Sequence, residues 1–293
     1  MDIVVIFNGL GNQMSQYAFY LKKKAISSNT DFITFCNDHN GLELNRVFNI
    51  NCSNSLKKKI LYFIFRILLT RRLLFLTYPV KVLLNMFGCK IIKENFKYNF
   101  NNEFLKPKRG LNFYYGGWHS ELYFNTQQNE IINAFNFGTP ILNESNNKIL
   151  SLINMTNSVS FHIRRGDYMN DSNMNLFGNI CNIDYYINAR NKIEKILNDP
   201  HYFVFSNDMN WVKANLRLKN VTYVEGNIGE NSWLDLYLMT RCKNHIIANS
   251  SFSWWGAWLN EDLNKIVISP DKFSNHDINS DVYPANWIKI STT

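Results

Sequence analysis

Short apolar runs alternate with helical patterns through the second half of the chain. Runs rich in β-branched and aromatic residues predict strands at residues 158–163, 202–205, 221–224, 245–248 and 266–269. Apolar residues at helical spacing predict helices at residues 185–197, 210–216, 232–242 and 253–259. This alternation predicts a doubly wound α/β unit with a parallel sheet, in which ligands bind beyond the carboxyl ends of the strands.

The first half of the chain opens with the same pattern. The apolar run Ile3–Phe7 predicts a strand, and residues 14–26 predict a helix. Residues 8–13, with the sequence Asn-Gly-Leu-Gly-Asn-Gln, predict the turn between them. We therefore expect an α/β protein made of two Rossmann-like halves that face a cleft.

Length and composition support two domains. The chain has 293 residues, of which 46% are hydrophobic, and this is enough apolar material for two cores. We expect a first domain at residues 1–150 and a second at residues 151–293, with a short ordered boundary between Asn143 and Asn157. The chain begins without a basic leader, and its five scattered cysteines show no paired spacing, so we expect a cytoplasmic protein.

Positive charge is concentrated between Lys57 and Arg109. Thirteen Lys and Arg residues against two acids give this stretch a net charge of +11, whereas the whole chain carries +8. At residues 57–97, apolar runs broken by basic residues predict a basic helical insertion in the first domain. The runs are shorter than the roughly 18 to 20 apolar residues of a membrane span.

Two interpretations of these basic helices remain open. They either lie on the anionic inner face of a membrane or pack in the core with snorkelling Lys and Arg side chains. No nucleic-acid-binding motif accompanies the charge, so we expect no nucleic-acid partner.

Residues 161–168, with the sequence Phe-His-Ile-Arg-Arg-Gly-Asp-Tyr, carry the strongest chemical signal. Arg164 and Arg165 directly follow a predicted strand, which places both in the ligand crevice. A guanidinium presents paired donors that match a pyrophosphate and stabilises charge on a departing diphosphate. Alternation along the strand places His162 on the same face as Arg164. The alternative is that one arginine pairs with Asp167 while the other lies in solvent.

The glycine-containing turn at residues 9–13 allows a ligand to approach the backbone closely and opens a helix, where amides favour anions or hydroxyls. It is not a dinucleotide fingerprint, because Met14 occupies the position that needs a small residue. Taken alone, the turn is better explained as an ordinary tight connection.

Two further stretches follow predicted strands. Residues 206–208, Ser-Asn-Asp, either cap the next helix or accept hydrogen bonds from the N1 and N2 donors of guanine. Residues 249–252, Asn-Ser-Ser-Phe, begin a helix whose hydroxyls and amides can hold phosphate oxygens. The tryptophans that follow, Trp254, Trp255 and Trp258, are expected to pack in the core.

Together these stretches resemble glycosyltransferase family 11, the α-1,2-fucosyltransferases. The family shows a Gly-x-Gly-Asn-Gln turn, a His-x-Arg-Arg-Gly-Asp-Tyr block, a Phe-Ser-Asp-Asp-like block and an Asn-Ser-Ser-Phe-Ser-Trp-Trp block, and all four occur here in order. The resemblance implies a GT-B-like fold whose C-terminal half binds the sugar nucleotide. It also implies inverting transfer of L-fucose from GDP-β-L-fucose to the 2-hydroxyl of a terminal galactoside, in surface glycan synthesis.

The same resemblance implies roles for individual residues. Arg164 would hold the β-phosphate and help the leaving group depart, and Asn12 would lie near the reaction centre. His162 and Asp208 would contact guanine, although Asn207 stands where many members carry Asp. The remaining residues expected to bind the substrate are Gly11, Gln13, Arg165, Asp167, Asn249, Ser250, Ser251 and Phe252.

We expect neither a metal nor another cofactor. The family resemblance implies metal independence, and the chain contains no Asp-x-Asp sequence of the kind that binds Mg²⁺ or Mn²⁺ in many sugar-nucleotide enzymes. Basic side chains would take the place of the metal. No Gly-x-Ser-x-Gly elbow or cysteine-centred signature indicates covalent catalysis.

The acceptor side carries no legible motif. A general base, if the reaction uses one, is expected from the first half, where Glu43, Glu121 and His119 are candidates by location and chemistry. The expected acceptor is a galactose-terminated oligosaccharide or a lipid-linked glycan. Two alternatives stay open: a fucosyltransferase of other regiochemistry or acceptor, and an inactive nucleotide-binding protein at a membrane surface.

Overall fold

The apolar runs of the chain form two separate parallel sheets. The chain divides into two compact units, Met1–Asn136 and Phe137–Thr293, and each unit holds one sheet covered by helices. The predicted α/β class, with two Rossmann-like halves, is therefore confirmed. The computed structural model describes residues 1–70, 74–95, 97–276 and 280–292.

The first unit is built around a four-stranded sheet. Its elements are β1 (Asp2–Phe7), α1 (Leu10–Ile26), β2 (Thr30–Phe35), α2 (Leu44–Phe48), α3 (Leu56–Leu69), α4 (Leu74–Met86), β3 (Cys89–Lys93), β4 (Leu111–Tyr115) and α5 (Gln128–Ala134). The strand order is β2-β1-β4-β3, and every pair is parallel. Because β1 is apolar on both faces, helices cover both sides, and Ile3 and Val5 pack against Leu61 and Phe65 of α3.

The basic stretch at residues 57–97 is only partly helical. Residues 89–93 form strand β3, which pairs in parallel with β4. The expectation of a helical insertion up to residue 97 is therefore wrong at its carboxyl end. Gly88, with φ at +76°, follows α4, and the alternating run Cys-Lys-Ile-Ile-Lys suits an edge strand. Residues 71–73 and 96 of the stretch lie outside the described residues.

The second unit is built around a six-stranded sheet. Its elements are α6 (Glu144–Met155), β5 (Asn157–Ile163), α7 (Asp171–Phe177), α8 (Ile183–Glu194), β6 (Pro200–Ser206), α9 (Met209–Asn215), β7 (Val221–Tyr223), α10 (Trp233–Arg241), β8 (Asn244–Ile246), α11 (Ser251–Trp258), β9 (Val267–Pro270) and β10 (Ile288–Ile290). The five strands and four helices predicted here are all present, with bounds shifted by at most a few residues. The sequence analysis missed β10, whose three residues are too few to show a period.

The order of the second sheet is β10-β9-β8-β5-β6-β7, with all pairs parallel. The chain runs outward from β5 to β7, then returns to pair β8 with the other side of β5. The carboxyl ends of β5 and β8 therefore flank a topological switch point, where open α/β sheets bind their ligands.

The boundary between the units lies earlier than the sequence analysis placed it. The second unit starts at Phe137 rather than at residue 151, because α6 belongs to its core. Ile149 and Ile153 of α6 pack against Phe203 and Phe205 of β6. Helix α6 is therefore part of the layer that covers this sheet.

A buried ion pair connects α1 to β1. Lys23 Nζ lies 2.7 Å from Asp2 Oδ2, with the two side chains 1% and 6% exposed. The same ammonium donates to the Phe104 carbonyl at 3.1 Å and to the Tyr114 hydroxyl at 3.0 Å. Burial lowers the pKa of Lys23, and its hydrogen bond to Asp2 opposes that shift. Asp2 also accepts a hydrogen bond from Asn112, so both charges have several polar partners.

We expect Lys23→Met to lower the free energy of unfolding by about 3–5 kcal/mol, because it leaves a buried carboxylate without its counter-charge. The double variant Lys23→Met/Asp2→Asn should recover much of this loss, since no buried charge remains. Urea denaturation measures both effects. Lys24→Met, at an exposed position of the same helix, is the control, and equal losses in the two single variants would show that the ion pair contributes nothing.

Candidate active site

Arg164 is held at the carboxyl end of β5 by a two-point ion pair. Its Nε lies 2.8 Å from Asp167 Oδ1, and its Nη2 donates to Asp167 Oδ2 at 2.9 Å. The 3₁₀ turn Gly166–Met169 brings the carboxylate back to the guanidinium, and the Tyr168 ring centroid lies 5.6 Å from the guanidinium carbon. The hydrogen bond uses an N–H of Nη2, while Nε contacts the carboxylate without forming a hydrogen bond. The other donors can reach a ligand.

Arg165 lies against an aromatic ring. Its guanidinium carbon is 4.1 Å from the centroid of a Trp211 ring, and its Nε is 3.5 Å from Asp208 Oδ2. The backbone N–H of Arg165 donates to Asn207 Oδ1 at 3.0 Å. The alternative considered from sequence holds for Arg164, which pairs with Asp167, but Arg165 does not lie free in solvent. Both guanidiniums are therefore oriented by neighbours at the switch point.

His162 is a buried, neutral imidazole. Burial lowers its pKa to about 3, and the positive charge of Arg164 acts in the same direction. Its Nδ1 has no hydrogen-bond partner in the described part of the chain, and its ring centroid lies 6.1 Å from that of Phe252. An unpaired buried nitrogen costs roughly 1–3 kcal/mol, which a hydrogen bond from a ligand would offset.

Asp208 caps a helix. Its Oδ1 accepts from the Trp211 N–H at 3.2 Å at the start of α9, while Ser206 Oγ accepts from the Asp208 N–H at 3.0 Å. The capping interpretation of residues 206–208 is therefore correct for Asp208. Its other oxygen faces Arg165, and a contact between Asp208 and guanine stays a prediction.

Some polar groups of residues 249–252 form hydrogen bonds within the protein, and others can bind a ligand. Asn249 is 1% exposed, and its Nδ2 donates to the Phe177 and Phe273 carbonyls at 3.1 and 3.2 Å. Ser250 caps α11 by accepting from the Phe252 N–H at 3.3 Å. Ser251 lies half-buried in the first turn, and its hydroxyl makes no hydrogen bond within the described ranges. Ser251 is thus the hydroxyl of this stretch that a phosphate can use.

A cavity of about 290 Å³ opens beside these groups. Its walls combine the two cationic side chains with aromatic and amide groups from α9, from the N-cap of α8 and from the segments after β5 and β8. Six of its lining residues are Arg164, Arg165, Tyr168, Asn182, Trp211 and Asn249. The cavity therefore offers positive charge beside a flat aromatic surface, a combination that suits an anionic ligand with a planar ring.

The glycine-containing turn of the first unit is the N-terminus of α1. The helix starts at Leu10 rather than at residue 14, so Gly11, Asn12 and Gln13 form its first turn. Gln13 is fully buried, and its Nε2 donates to the Asn8 and Gly41 carbonyls while its Oε1 accepts from the Glu43 N–H. The donors of Gln13 are thus used inside the protein.

Asn12 is the half-buried polar side chain of this turn. Its amide makes no hydrogen bond to any residue that the structure describes, whereas its backbone N–H donates to the Gly9 carbonyl at 3.0 Å. Gly11 is buried and has no side chain, and its carbonyl already accepts a hydrogen bond from Ser15 Oγ. Gly11 and Gln13 were expected to bind substrate and Asn12 to act at the reaction centre, and of these three Asn12 has a side chain with no hydrogen bond to a described residue.

The three candidate bases differ in their surroundings. Glu43 is 2% exposed and contacts Arg46 at 3.0 Å, and burial raises the pKa of its carboxyl group. His119 is 5% exposed, its Nδ1 lies 3.2 Å from Ser15 Oγ, and burial lowers its pKa to about 3. Glu121 begins a 3₁₀ turn and is half-buried. Glu43 therefore has its own cation, and His119 is a neutral group.

Glu94 is a buried carboxyl group that the sequence analysis missed. It follows β3, and its Oε2 accepts from the Gly117 and Trp118 N–H groups at 2.8 Å each. Its Oε1 is buried without a hydrogen-bond partner among the described residues. Burial raises the pKa of Glu94 to about 7, although the two backbone donors oppose the shift. Glu94 thus fixes the turn after β4 at the carboxyl edge of the first sheet.

The sequence profile described as glycosyl transferase family 11 matches residues 2–291, which is nearly the whole chain. The chain belongs to glycosyl transferase family 11. An Escherichia coli α-1,2-colitosyltransferase is 33% identical over 99% of both chains. The O-antigen biosynthesis glycosyltransferase WbnK of the same organism is 32% identical over 96% of this chain and 98% of its own length.

More distant similarities are partial. Human galactoside α-(1,2)-fucosyltransferase 1 is 29% identical over 34% of this chain and 28% of its own length. Among solved structures, NodZ α-1,6-fucosyltransferase soaked with GDP-fucose covers 88% of this chain at 12% identity, with a TM-score of 0.44. At this identity and TM-score, the similarity to the solved structure concerns the general fold alone.

Three residues of this family 11 protein that line or support the candidate sites were absent from the predicted set. Trp211 and Tyr168 were quoted within helices or motifs, but no sequence signal showed that their rings would contact the two arginines. Glu94 directly follows a strand end, which is the signal used elsewhere in the chain, but its strand was assigned to a helical insertion. The alternation of apolar and polar residues at 89–93 is the signal that would have predicted a strand there, with Glu94 at its end.

We expect Glu94→Gln to stabilise the protein at pH 8 but not at pH 4.5. The folded pKa of about 7 lies above the ordinary value of 4.5, so the folded state holds the proton more tightly between these pH values. Stability is then lost as pH rises from 4.5 to 7, and the neutral amide avoids a loss on the order of 1–3 kcal/mol. Urea denaturation of both proteins at the two pH values measures the difference, and a variant less stable than the parent at pH 8 would contradict it.

Proposed function

We propose that the chain transfers L-fucose from GDP-β-L-fucose to the 2-hydroxyl of a terminal galactoside, with inversion and without a metal. Family membership supports glycosyl transfer, and the names of the relatives support an α-1,2 linkage in glycan assembly. The observation that carries the proposal is the pair of oriented guanidiniums, Arg164 and Arg165, at the switch point of the second sheet.

The proposed reaction exchanges one bond at the anomeric carbon. The bond from C1 to the diphosphate oxygen breaks, the acceptor oxygen bonds to C1 from the opposite side, and the hydroxyl proton leaves. The transition state places positive charge on the sugar ring and negative charge on the departing GDP. Groups that bind the departing diphosphate more strongly than the intact donor accelerate this step.

Arg164 suits the departing diphosphate. The ion pair with Asp167 fixes the direction of the guanidinium, so little reorganisation is needed when charge develops. Its remaining N–H groups can donate to a β-phosphate oxygen. Arg165 and the first-turn amides of α11, beside Ser251, add further positive potential. These cationic groups would supply the charge neutralisation that a divalent cation supplies in other sugar-nucleotide enzymes.

On the acceptor side we propose a positioning role for Asn12 and no strong general base. The free amide of Asn12 can orient a sugar or acceptor hydroxyl. Glu43 is buried and already bonded to Arg46, which limits its access to an acceptor, and His119, with a pKa of about 3, is a weak base near neutral pH. Leaving-group departure would then supply most of the rate enhancement, and solvent can take the proton after the new bond forms.

The identity of the donor sugar has a second candidate. A relative matched over its whole length is named a colitosyltransferase, and colitose is L-fucose without the 3-hydroxyl. Hydrophobic pockets discriminate poorly against one added or missing hydroxyl, whereas a site that hydrogen-bonds the hydroxyl discriminates strongly. Two further alternatives are another regiochemistry or acceptor, and an inactive nucleotide-binding protein.

We expect purified protein to release GDP from GDP-fucose when lactose is present, and to do so equally in excess EDTA. Arg164→Ala should lower kcat by about 10²–10³-fold, the cost of removing one donor to a developing anion. Arg190→Ala is the matched control, because Arg190 also pairs with a carboxylate, Glu194 four residues along α8, but does not line the cavity. Its activity should match the parent.

Three outcomes would count against this proposal. Activity that disappears in EDTA and returns with Mg²⁺ would contradict metal independence. Equal activity in Arg164→Ala and Arg190→Ala would remove the proposed role of Arg164. Tight GDP binding with no release across several β-galactosides would favour another acceptor or an inactive protein.

Competition between donors tests the sugar. For a fucosyltransferase with a polar contact to the 3-hydroxyl, kcat/KM with GDP-fucose should exceed that with GDP-colitose by about 10²-fold or more. Linkage analysis of the product from each donor then shows whether the new bond is α-1,2. Higher kcat/KM with GDP-colitose would assign the chain the activity named for its Escherichia coli relative.

A further inference from the structure

Helix α3 has two apolar faces, and the described part of the chain covers one of them. Leu61 and Phe65 are 6% and 0% exposed and pack on the first sheet. Leu56, Ile60 and Phe63 follow one another at spacings of four and three residues, and they are 75%, 53% and 65% exposed. A helix on a soluble surface normally places polar residues on its outer face. The outer face of α3 instead carries a stripe of large apolar side chains.

The neighbouring helix α4 continues this exposure. Val82, Leu83 and Met86 are 40%, 53% and 78% exposed, and Phe87 in the turn that follows is 75% exposed. The spacing of these residues places them on one helical face. Elsewhere in the described residues, the most exposed large apolar side chains are separated along the chain, as at Ile141, Ile228 and Leu263.

The charge around this surface is mainly positive, although Asp31 of β2 pairs with Lys57 and Lys58 at the start of α3. From Leu44 to Lys93 the sequence contains no Asp or Glu, while nine Lys and Arg residues lie between Lys57 and Lys93. Lys59 and Arg66 are exposed on α3, on either side of Phe63 along the chain. None of the described helices is long and apolar enough to cross a membrane. The pattern is that of helices lying in an interface, with apolar side chains flanked by cations.

We propose that the outer faces of α3 and α4 dock on a bilayer surface that contains anionic phospholipid. Leu56, Ile60, Phe63, Leu83, Met86 and Phe87 enter the region between headgroups and acyl chains. Lys59, Arg66 and neighbouring cations attract the phospholipid headgroups, and the inner face of α3 holds the helix against the first sheet. The docking is independent of the proposed catalytic function, since none of these residues belongs to either candidate site.

The charge favours a bilayer over a second copy of the chain. A symmetric dimer would place the same patch on both sides of the interface, so an excess of cations would face cations, since the nearby Asp31 already pairs with Lys57 and Lys58. A bilayer with anionic headgroups supplies the opposite charge and an apolar phase at the same depth as the exposed side chains. Both features of the surface are satisfied by this one partner.

The test measures binding of the full chain to vesicles by co-sedimentation. We expect binding to vesicles of phosphatidylcholine with phosphatidylglycerol, little binding to phosphatidylcholine alone, and weaker binding at high salt. The triple variant Phe63→Ser/Met86→Ser/Phe87→Ser should bind at least about tenfold more weakly, since three apolar anchors are lost. Lys59→Gln/Arg66→Gln should weaken binding to the anionic vesicles by a comparable factor.

Two control variants match these changes. Ile141→Ser/Ile228→Ser/Leu263→Ser removes three apolar side chains of the second unit that are more exposed than the three test residues, and Lys192→Gln/Lys195→Gln removes two exposed cations of α8 and its C-cap. Both should bind vesicles like the parent. All variants should retain the parent's circular dichroism spectrum.

Several results would overturn the proposal. These are no vesicle binding by the parent, equal binding to neutral and anionic vesicles, or equal losses in the test and control variants. Sedimentation velocity without lipid can give a fourth such result. If the parent dimerises and the Phe63→Ser/Met86→Ser/Phe87→Ser variant is monomeric, the surface binds a second copy of the chain instead of a bilayer. Soluble GDP-release activity is measured in parallel, and its absence would bear on the proposed function alone.

Discussion

The position of β5 between β6 and β8 is the constraint on which the candidate nucleotide site depends. β5 pairs with β6 over seven residues and with β8 over three, and Phe161 and Ile163 are completely buried. Because both neighbours are parallel to it, three carboxyl ends meet at one edge. Arg164 follows β5, residues 206–208 end β6, and Ser250 and Ser251 come soon after β8. The sheet therefore brings together groups that are up to 87 residues apart in sequence.

The same edge explains why some polar residues there hold the protein together instead of facing a ligand. Where the strands end, backbone N–H and C=O groups have no partner in a neighbouring strand, and they need hydrogen bonds from other groups. Asn249 meets this need by donating to the carbonyl of Phe177 at the end of α7 and to the Phe273 carbonyl, and Ser250 does so as a helix cap. Gln13 plays the equivalent part in the first unit. Asn12 and Ser251, beside them in sequence, make no side-chain hydrogen bond to any residue that the structure describes.

Much of this arrangement could be predicted from the sequence, because strands and the residues after them leave local signals. The βα rhythm located β5 to β9, and the ends of β5, β6 and β8 located Arg164, Asp208 and Ser251. What the sequence could not show is how side chains meet across the fold. Two features depend on packing between elements: the Trp211 ring lies against Arg165, and the Nδ1 of His162 has no partner among the described residues. The domain boundary was misplaced for the same reason. Only the packing of α6 against β6 shows that this helix belongs to the second unit.

The ion pair of Arg164 with Asp167 raises the question of how a neutralised arginine can bind an anion. The side chains are 27% and 30% exposed, so solvent screens the pair and its net contribution to stability is small. Its main effect is geometric, because two contacts fix the plane of the guanidinium. An arriving diphosphate carries more negative charge than the carboxylate and can use the donors that Asp167 leaves free. Arg165 adds a second cation whose carboxylate lies at 3.5 Å, beyond a normal hydrogen bond. The site is therefore oriented before the ligand arrives and still has positive charge to offer it.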